Sequence, residues 1–326
     1  MSERRIFVTG GAGYLGSALL KALAPQLGTH ELACLVASDV REVAAASRLP
    51  GVEYVLHDVR APGLAQLLSD RRIDTVVHLA AIVTPGARSN RELEYAVDVR
   101  GTRNVLEACT AASVQRIVVT SSGAAYGYYA DNPEWLTEDH AIRGNEAFAY
   151  AHHKRLVEEM LASYRQAHPE LRQVVLRVGT ILGETTRNQI TALFDKPRLL
   201  AIRGSRSPFV FVWDQDVVGA IEHAIRTDAA GIFNVAGDGA LGIEEIAARL
   251  GKRCVHLPAG LLRAVLAVLH PLRLSRYGPE QVDFLRYRPV LDNRRLKEVM
   301  GYRPRMTSAE VFDFYCRTRG LGRERA

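Results

Sequence analysis

The sequence lacks the features of several protein classes. Its four cysteines, Cys34, Cys109, Cys254 and Cys316, are far apart and form no C-x-x-C pair, which argues against a disulfide framework or a zinc site. The most apolar segment, residues 261–270, is too short to span a bilayer, and no apolar signal segment follows the N-terminus. We therefore expect a cytoplasmic protein with no membrane partner and no metal.

The charge pattern argues against a nucleic-acid interface. The 326 residues carry 42 Lys and Arg against 36 Asp and Glu, a net charge of +6, and the arginines are dispersed rather than clustered. A dispersed basic excess is typical of a solvated surface. We predict no nucleic-acid partner and a small molecule as the ligand.

A glycine-rich turn lies near the N-terminus. Residues 5–8 form a short apolar run that predicts a strand, and residues 14–23 have helical periodicity. In this context Gly10 permits the turn, Gly13 lets the backbone approach a pyrophosphate, and Gly16 lets the helix pack against the strand. The free N–H groups of the helix N-terminus favour an anion. The turn predicts a dinucleotide site, with contacts from Gly10, Gly13, Tyr14, Leu15 and Gly16.

Strands and helices alternate through the first half of the chain. The pattern predicts further strands at residues 31–36, 52–56, 74–79, 115–120, 173–177 and 231–235, and long helices at residues 88–112 and 150–167. Alternation of this kind indicates an α/β fold, a Rossmann-type doubly wound parallel sheet. The alternation breaks after about residue 183. We predict a dinucleotide-binding domain at residues 1–183 plus about 209–236, and a smaller, mainly helical C-terminal substrate cap at about 184–208 and 237–326.

Tyr150 and Lys154 are the candidate proton-transfer residues. They are four positions apart, so both side chains lie on one face of a helix. Tyrosine is a poor base because its ordinary pKa is about 10, and a neighbouring ammonium favours the tyrosinate. The strand ending at residues 119–122 brings hydroxyl groups to the sheet edge where ligands bind. His152 and His153, between the tyrosine and the lysine, are predicted to be partly exposed helix positions.

These motifs resemble the extended short-chain dehydrogenase/reductases, often called NAD-dependent epimerase/dehydratases. The resemblance covers essentially the whole chain and is carried by T-G-x-x-G-x-x-G at residues 9–16, H-L-A-A at 78–81, G-T-x-N-V-L-E-A at 101–108 and S-S-x-x-x-Y-G at 121–127. It implies Ser122, Tyr150 and Lys154 as the catalytic triad. It also implies hydride transfer at a carbon bearing oxygen, commonly on nucleotide sugars, and a homodimer packed through helices 88–112 and 150–167.

The resemblance further implies the residues that surround the ligands. The implied cofactor contacts beyond the glycine turn are Asp58, Val59, Leu79, Ala80, Ala81, Thr120, Tyr150, Lys154 and Val178. The implied substrate contacts are Val83, Gly123, Ala124 and Thr180.

Four departures from the family pattern limit what the resemblance implies about the substrate. Asp98 and Thr180 each stand where many members carry Asn, and Phe209 stands near where sugar epimerases often carry a diphosphate-binding Arg. The Asp-Glu pair of sugar dehydratases is absent after Ser122, so dehydration is disfavoured. Arg286 and Arg288 could meet a substrate phosphate or could be solvated.

The cofactor is expected to be NAD(P), with a lean to NADP. An acidic residue at the end of the second strand would bind the ribose 2′-hydroxyl and select NAD. The predicted strand ends at Ser38 without one, and Asp39 follows too late. Ser38 and Arg41 could instead accept a 2′-phosphate.

Three functions are compatible with the sequence. One is a nucleotide-sugar 4-epimerase, in which the cofactor stays bound. A second is a reductase or dehydrogenase of a free alcohol or ketone, such as a steroid-like or other bulky substrate. The third is a dinucleotide-binding sensor without turnover, which the presence of Ser122, Tyr150 and Lys154 disfavours.

Overall fold

A computed structural model describes residues 3–83, 90–275 and 277–321. Its strands are β1 (Arg4–Thr9), β2 (Leu32–Asp39), β3 (Glu53–Leu56), β4 (Thr75–His78), β5 (Arg116–Ser122), β6 (Arg172–Val178), β7 (Thr180–Leu182), β8 (Arg198–Ile202), β9 (Phe211–Trp213), β10 (Gly231–Val235) and β11 (Arg253–Leu257). Its α-helices are α1 (Tyr14–Leu23), α2 (Leu64–Asp70), α3 (Arg91–Tyr95), α4 (Gly101–Ala111), α5 (Ala149–Ala167), α6 (Gln189–Phe194), α7 (Asp214–Arg226), α8 (Ile243–Arg249), α9 (Ala259–Leu269), α10 (Gln281–Arg286) and α11 (Ser308–Thr318).

Seven strands form one parallel sheet in the order β10–β6–β5–β4–β1–β2–β3. The chain runs outward from β1 to β3, then returns to β4 and continues in the opposite direction, so the order reverses between β1 and β4. Ligands of open α/β sheets bind at the carboxyl ends of the strands at such a reversal. The predicted doubly wound Rossmann-type sheet is therefore confirmed.

The central strands of this parallel sheet are buried on both faces, so apolar side chains lie on each face. Helices α1 and α7 close one face, and α2, α4 and α5 close the other. A separate apolar cluster joins the predicted cap segments to β9 around Phe194, Phe211 and Phe312, whose rings contact one another. Each fully buried side chain of this size contributes about 1.5–3 kcal/mol of burial free energy. The sheet and the cap thus each have an apolar core.

The elements differ from the predicted ones in three places that bear on the site. Strand β2 continues to Asp39, because it pairs with β3 over its last four residues. Within the described residues, the predicted helix 88–112 begins at Arg91, because Asn90 caps it by accepting the Leu93 N–H, and it contains a π-helical turn at Ala96–Arg100. The cap also contains strands: β8 pairs with β11. The predicted domain boundaries remain a prediction.

Candidate active site

The glycine turn between β1 and α1 has the geometry that a dinucleotide needs. Gly10 has φ +71°, and a Cβ there would lie 2.8 Å from the Ala80 nitrogen. A Cβ on Gly16 would lie 2.1 Å from the Gly10 oxygen, so only glycine lets α1 approach the turn. Gly13 precedes the helix and provides no side-chain cap. The first N–H groups of α1 are therefore left for an anion, and the turn fits a pyrophosphate.

The two residues after Gly13 serve different purposes. Leu15 packs into the apolar layer between α1 and the sheet. Tyr14 donates its hydroxyl to the Asp214 carboxylate at 2.5 Å and lies 2.8 Å from the Thr186 hydroxyl. Burial and the Asp214 carboxylate raise the pKa of Tyr14 to about 12. The Tyr14 side chain thus ties the glycine turn to α7 and the cap segment, a link that the sequence did not predict.

An acidic residue does stand at the end of β2, contrary to the sequence-based expectation. The Asp39 carboxylate accepts the backbone N–H of Ala12 in the glycine turn at 3.0 Å, and its side chain is only 9% exposed. Arg41 pairs with this carboxylate at 3.3 Å but is 64% exposed. The Ser38 side chain is buried, with its Oγ 3.4 Å from the His57 carbonyl oxygen. The position expected to lack an acid is therefore occupied by Asp39.

Asp58 and Val59 follow β3 at the same edge of the sheet. The Arg60 side chain donates to Asp58 at 2.9 Å and lowers the pKa of that carboxyl group. Val59 is buried, and its Cγ2 would lie 2.8 Å from a Cβ placed on Gly101 at the start of α4. Both residues thus lie at the sheet edge where ligands of open α/β sheets bind.

A chain of hydrogen bonds fixes the segment after β4. The Thr9 hydroxyl accepts the N–H groups of Leu79 and Ala80 at 3.2 and 3.3 Å and lies 2.7 Å from His78 Nδ1. His78 Nε2 lies 3.0 Å from the Thr102 hydroxyl, which donates to the Asp98 carbonyl oxygen. Burial and nearby Lys154 lower the pKa of His78 to about 4, so its imidazole is neutral at pH 7.

Ser122 lies at the carboxyl edge of the sheet, and α5, which carries Tyr150 and Lys154, packs beside that strand end. Ser122 ends β5, and its Oγ accepts the Ala124 N–H at 3.1 Å, which leaves the hydroxyl proton free to donate. Lys154 Nζ donates to the Thr120 carbonyl oxygen at 2.9 Å and lies 5.7 Å from the centre of the Tyr150 ring. Lys154 is thereby held between the end of β5 and the Tyr150 ring.

A buried ion pair lies next to the end of β5. The Ser121 hydroxyl donates to Glu158 Oε1 at 2.5 Å, and Glu158 receives both Nε and Nη2 of Arg177. Arg177 Nη1 also donates to the Tyr126 hydroxyl at 2.8 Å. Burial disfavours the charge of Arg177, but Glu158 outweighs it and raises the pKa of the guanidinium. The bidentate pair thus joins β6 to α5, and the Ser121 hydroxyl joins β5 to the same carboxylate, next to Ser122.

The four predicted substrate residues lie in different environments. Gly123 and Ala124 are buried in the turn after β5, and Leu291 fills the space that a Cβ on Gly123 would take, at 3.1 Å. Thr180 opens β7, directly after β6 ends at the buried Val178. Val83 is 54% exposed at the edge of the described residues. Ala81 is partly buried in the same segment.

An arginine among aromatic rings marks the cap side of the site. Tyr128 makes edge contacts with Phe148 and Phe284, whose ring centres are 5.1 and 5.0 Å away. The Arg288 guanidinium lies 3.8 Å from the centre of the Phe209 ring and 4.8 Å from that of Phe284. Burial lowers the pKa of Arg288 to about 9. A fully solvated Arg288 is therefore excluded.

Neither a metal site nor a membrane span is found in the described part of the chain. The described residues contain no cluster of three or more His, Cys, Asp or Glu side chains that could hold a metal ion. None of the helices within the described ranges is long and apolar enough to cross a membrane.

Comparison with known proteins places the chain in a family. A sequence model of the NAD dependent epimerase/dehydratase family matches residues 6–236. The chain belongs to this family. It is therefore an NAD-dependent enzyme of the extended short-chain dehydrogenase/reductase type.

Individual relatives are distant. Protein Rv0501 of Mycobacterium tuberculosis, described as uncharacterized, is 28% identical over 97% of this chain and 84% of its own length. A UDP-glucose 4-epimerase of Erwinia amylovora is 30% identical over 57% of this chain and 56% of that enzyme. Among solved structures, MoeE5 in complex with UDP-glucose and NAD has a TM-score of 0.71 at 23% identity, over 97% of this chain and 98% of that one. The structural likeness confirms the fold.

Proposed function

We propose that the protein is an NAD-dependent 4-epimerase of a nucleoside-diphosphate sugar. The observation that carries the substrate class is Arg288. The residue is partly buried, its Nη1 donates to the Leu285 carbonyl oxygen at 3.4 Å, its Nε is closed to solvent without a hydrogen-bond partner, and no carboxylate among the described residues pairs with it. A buried cation without an anion is costly. A diphosphate bound beneath the cap would supply the missing charge.

The position of Arg288 relative to the triad supports the same substrate. Arg288 contacts Phe284, Phe284 contacts Tyr128, and Tyr128 contacts Phe148, which lies two residues before Tyr150 in the chain. A substrate that bridges Tyr150 and Arg288 therefore needs a reacting carbon at one end and an anion at the other. A sugar joined to a diphosphate has this form.

The chemistry follows from the three triad side chains. Bound NAD would supply the hydride acceptor and donor. Tyr150 takes the proton from the sugar hydroxyl when its carbon is oxidised, and returns the proton when the carbon is reduced. Ser122 donates a hydrogen bond to the same oxygen, and Lys154 provides the positive charge beside the phenol.

We also propose that the cofactor is NAD rather than NADP, in place of the sequence-based lean. The support is Asp39, whose carboxylate lies against the glycine turn where the ribose hydroxyls of a dinucleotide would come. It would repel a 2′-phosphate. The Asp39→Asn variant should lose preference for NAD, whereas Arg41→Ala should leave the ratio of NAD to NADP affinity nearly unchanged. An Arg41→Ala variant with selectively weakened NADP binding would contradict this proposal.

The test of the function starts from the nucleotide released by the denatured protein. Stoichiometric NAD, followed by inversion at C4 of UDP-glucose detected by proton NMR, is the expected result. Arg288→Met should then raise KM about ten- to hundredfold, the cost of a charged hydrogen bond. Arg263→Met is the matched control, because Arg263 is exposed and already paired with Asp283 at 2.7 Å. Equal KM changes in the two variants would refute the assignment of Arg288.

A second candidate is an NAD-dependent dehydrogenase of a bulky ketone or alcohol. The observation that favours it is the apolar wall formed by Tyr128, Phe148 and Phe284, together with Phe209 where sugar epimerases often carry Arg. This function predicts that the purified protein is free of nucleotide and that released NADH accumulates with substrate.

The assembly and the location are part of the proposal. We propose a homodimer packed through α4 and α5, which lie side by side on one face of the sheet. The four cysteines are free, which supports the reducing conditions of the cytoplasm. Light scattering of the purified protein tests the dimer directly.

A further inference from the structure

Asp98 is a buried acid in the wall of the cofactor site. Its side chain extends from the π-helical turn between α3 and α4, and the residue is 2% exposed. Oδ1 accepts the backbone N–H of Ile82 at 2.8 Å, on the segment that continues from Ala80 and Ala81. Oδ2 is closed to solvent and has no hydrogen-bond partner within the described ranges. Half of this carboxylate is therefore uncompensated by hydrogen bonds.

Among the neighbouring side chains, one could balance the negative charge of the Asp98 carboxylate. The His78 imidazole is neutral at pH 7, and its Nε2 is hydrogen-bonded to the Thr102 hydroxyl. Lys154 lines the same small cavity as Asp98 but donates to the Thr120 carbonyl oxygen. On the same helix, Glu94 would add negative charge. The remaining group is His153.

His153 faces Asp98 from the catalytic helix. Its Nδ1 lies 3.6 Å from Asp98 Oδ2, and the side chain is 4% exposed. Nδ1 has no hydrogen-bond partner in the described part of the chain. The ring is held edge-on against Tyr95 at 5.7 Å, and the ring of His152 is 6.1 Å away. The sequence-based expectation that His153 is partly exposed is wrong, because α5 turns this face toward α3.

We propose that His153 carries a proton that neutralises Asp98, so that the two residues together form a buried ion pair that positions the catalytic helix against the cofactor segment. A lone buried carboxylate is strongly disfavoured, whereas a paired one is tolerated. The pair connects Ile82, whose N–H binds Asp98, to His153, which directly precedes Lys154. Where many family members carry the neutral amide of Asn at position 98, this chain has the two opposite charges of Asp98 and His153. Both are positioning residues, since neither is placed to touch the substrate.

The experiment separates charge from shape by a double-mutant cycle. His153→Gln keeps a hydrogen-bond donor of similar reach but removes the charge, and Asp98→Asn removes the negative charge with little change in volume. We expect His153→Gln to weaken NAD binding about tenfold and lower the thermal midpoint, because the carboxylate is left unpaired. The double variant should recover most of both losses. His152→Gln, the adjacent position on α5, is the matched control and should change neither.

Two outcomes would overturn the proposal. One is a double variant no better than His153→Gln, which would mean that His153 acts only by filling space. The other comes from the imidazole ¹⁵N spectrum. The double variant lacks His153 and therefore identifies the His153 signal, so no other folded His153 variant is needed. The His153 signal should report an imidazolium at neutral pH in the natural protein and a neutral ring in Asp98→Asn. A neutral ring in both would refute the pair. These readouts use NAD and the protein alone, so an incorrect sugar substrate would not affect them.

Discussion

The buried pair of Glu158 and Arg177 gives the sharpest prediction about stability. Both side chains are less than 5% exposed, and two nitrogens of the guanidinium reach the carboxylate. Glu158→Gln removes the negative charge but keeps the shape, and so leaves Arg177 buried with a charge that nothing balances. Loss of one partner of a buried pair costs about 3–5 kcal/mol.

This cost can be converted into a change in thermal midpoint. Unfolding entropy is about 2.1 cal/mol/K for each residue, so for 326 residues it is about 0.7 kcal/mol/K if the chain unfolds cooperatively. The midpoint of Glu158→Gln should therefore fall by about 4–7 °C. Activity should fall further than stability explains, because Glu158 also receives the Ser121 hydroxyl beside Ser122, the proposed substrate-binding serine.

The assay is thermal unfolding followed by circular dichroism, with Glu159→Gln as the control. Glu159 is the next residue on α5, but it is 53% exposed and lies 3.5 Å from Arg155 in a surface pair. Surface pairs of this kind contribute about 0–1 kcal/mol. If the two variants have the same midpoint, the reasoning from burial is refuted.

The remaining predictions concern the glycine turn and the histidine beneath it. Gly10→Ala should abolish NAD binding in calorimetry, because φ +71° and the 2.8 Å contact disfavour any Cβ, whereas Gly260→Ala, with nothing within 4 Å, should bind normally. Tyr14→Phe should lower the free energy of unfolding in denaturant by about 1–3 kcal/mol, because the carboxylate of Asp214 loses its donor. An unchanged midpoint would contradict that link. Because the folded pKa of His78 is depressed to about 4, its contribution is present above its ordinary pKa of 6.5 and is lost as pH falls toward 4. His78→Gln should therefore flatten the acid side of the stability profile, and an unaltered profile would contradict the neutral assignment.

Local sequence signals predicted the glycine turn before α1 and the helix that carries Tyr150 and Lys154, and the structure has both. The glycine spacing and the interval from Tyr150 to Lys154 act through one turn and one helix, so neighbouring residues determine them. Strand β10 is observed at the predicted residues for a similar reason, since a β-favouring run is bounded by turn residues on both sides. These features needed no knowledge of distant contacts.

Errors arose where a distant strand or helix decides the outcome. The end of β2 depends on β3, because Asp39 pairs with Leu56 and is thereby held in the strand. The burial of His153 depends on how α3 packs against α5. Neither contact can be predicted from the residues next to Asp39 or His153 in sequence. The interaction of Asp98 with His153 likewise depends on how two separate helices pack.

The substrate side of the site is the part most dependent on such contacts. Arg288 reaches Phe209 across a long separation in sequence, and Phe209 stands near where sugar epimerases often carry a diphosphate-binding Arg. One arginine held over an aromatic ring has fewer hydrogen-bond donors for a diphosphate than two arginines would have. If the substrate is a nucleotide sugar, its diphosphate must therefore be bound mainly through Arg288, and KM should depend on that one side chain more steeply than in an enzyme with two. A weak dependence would instead favour the apolar substrate that the wall of Tyr128 and Phe284 could accept.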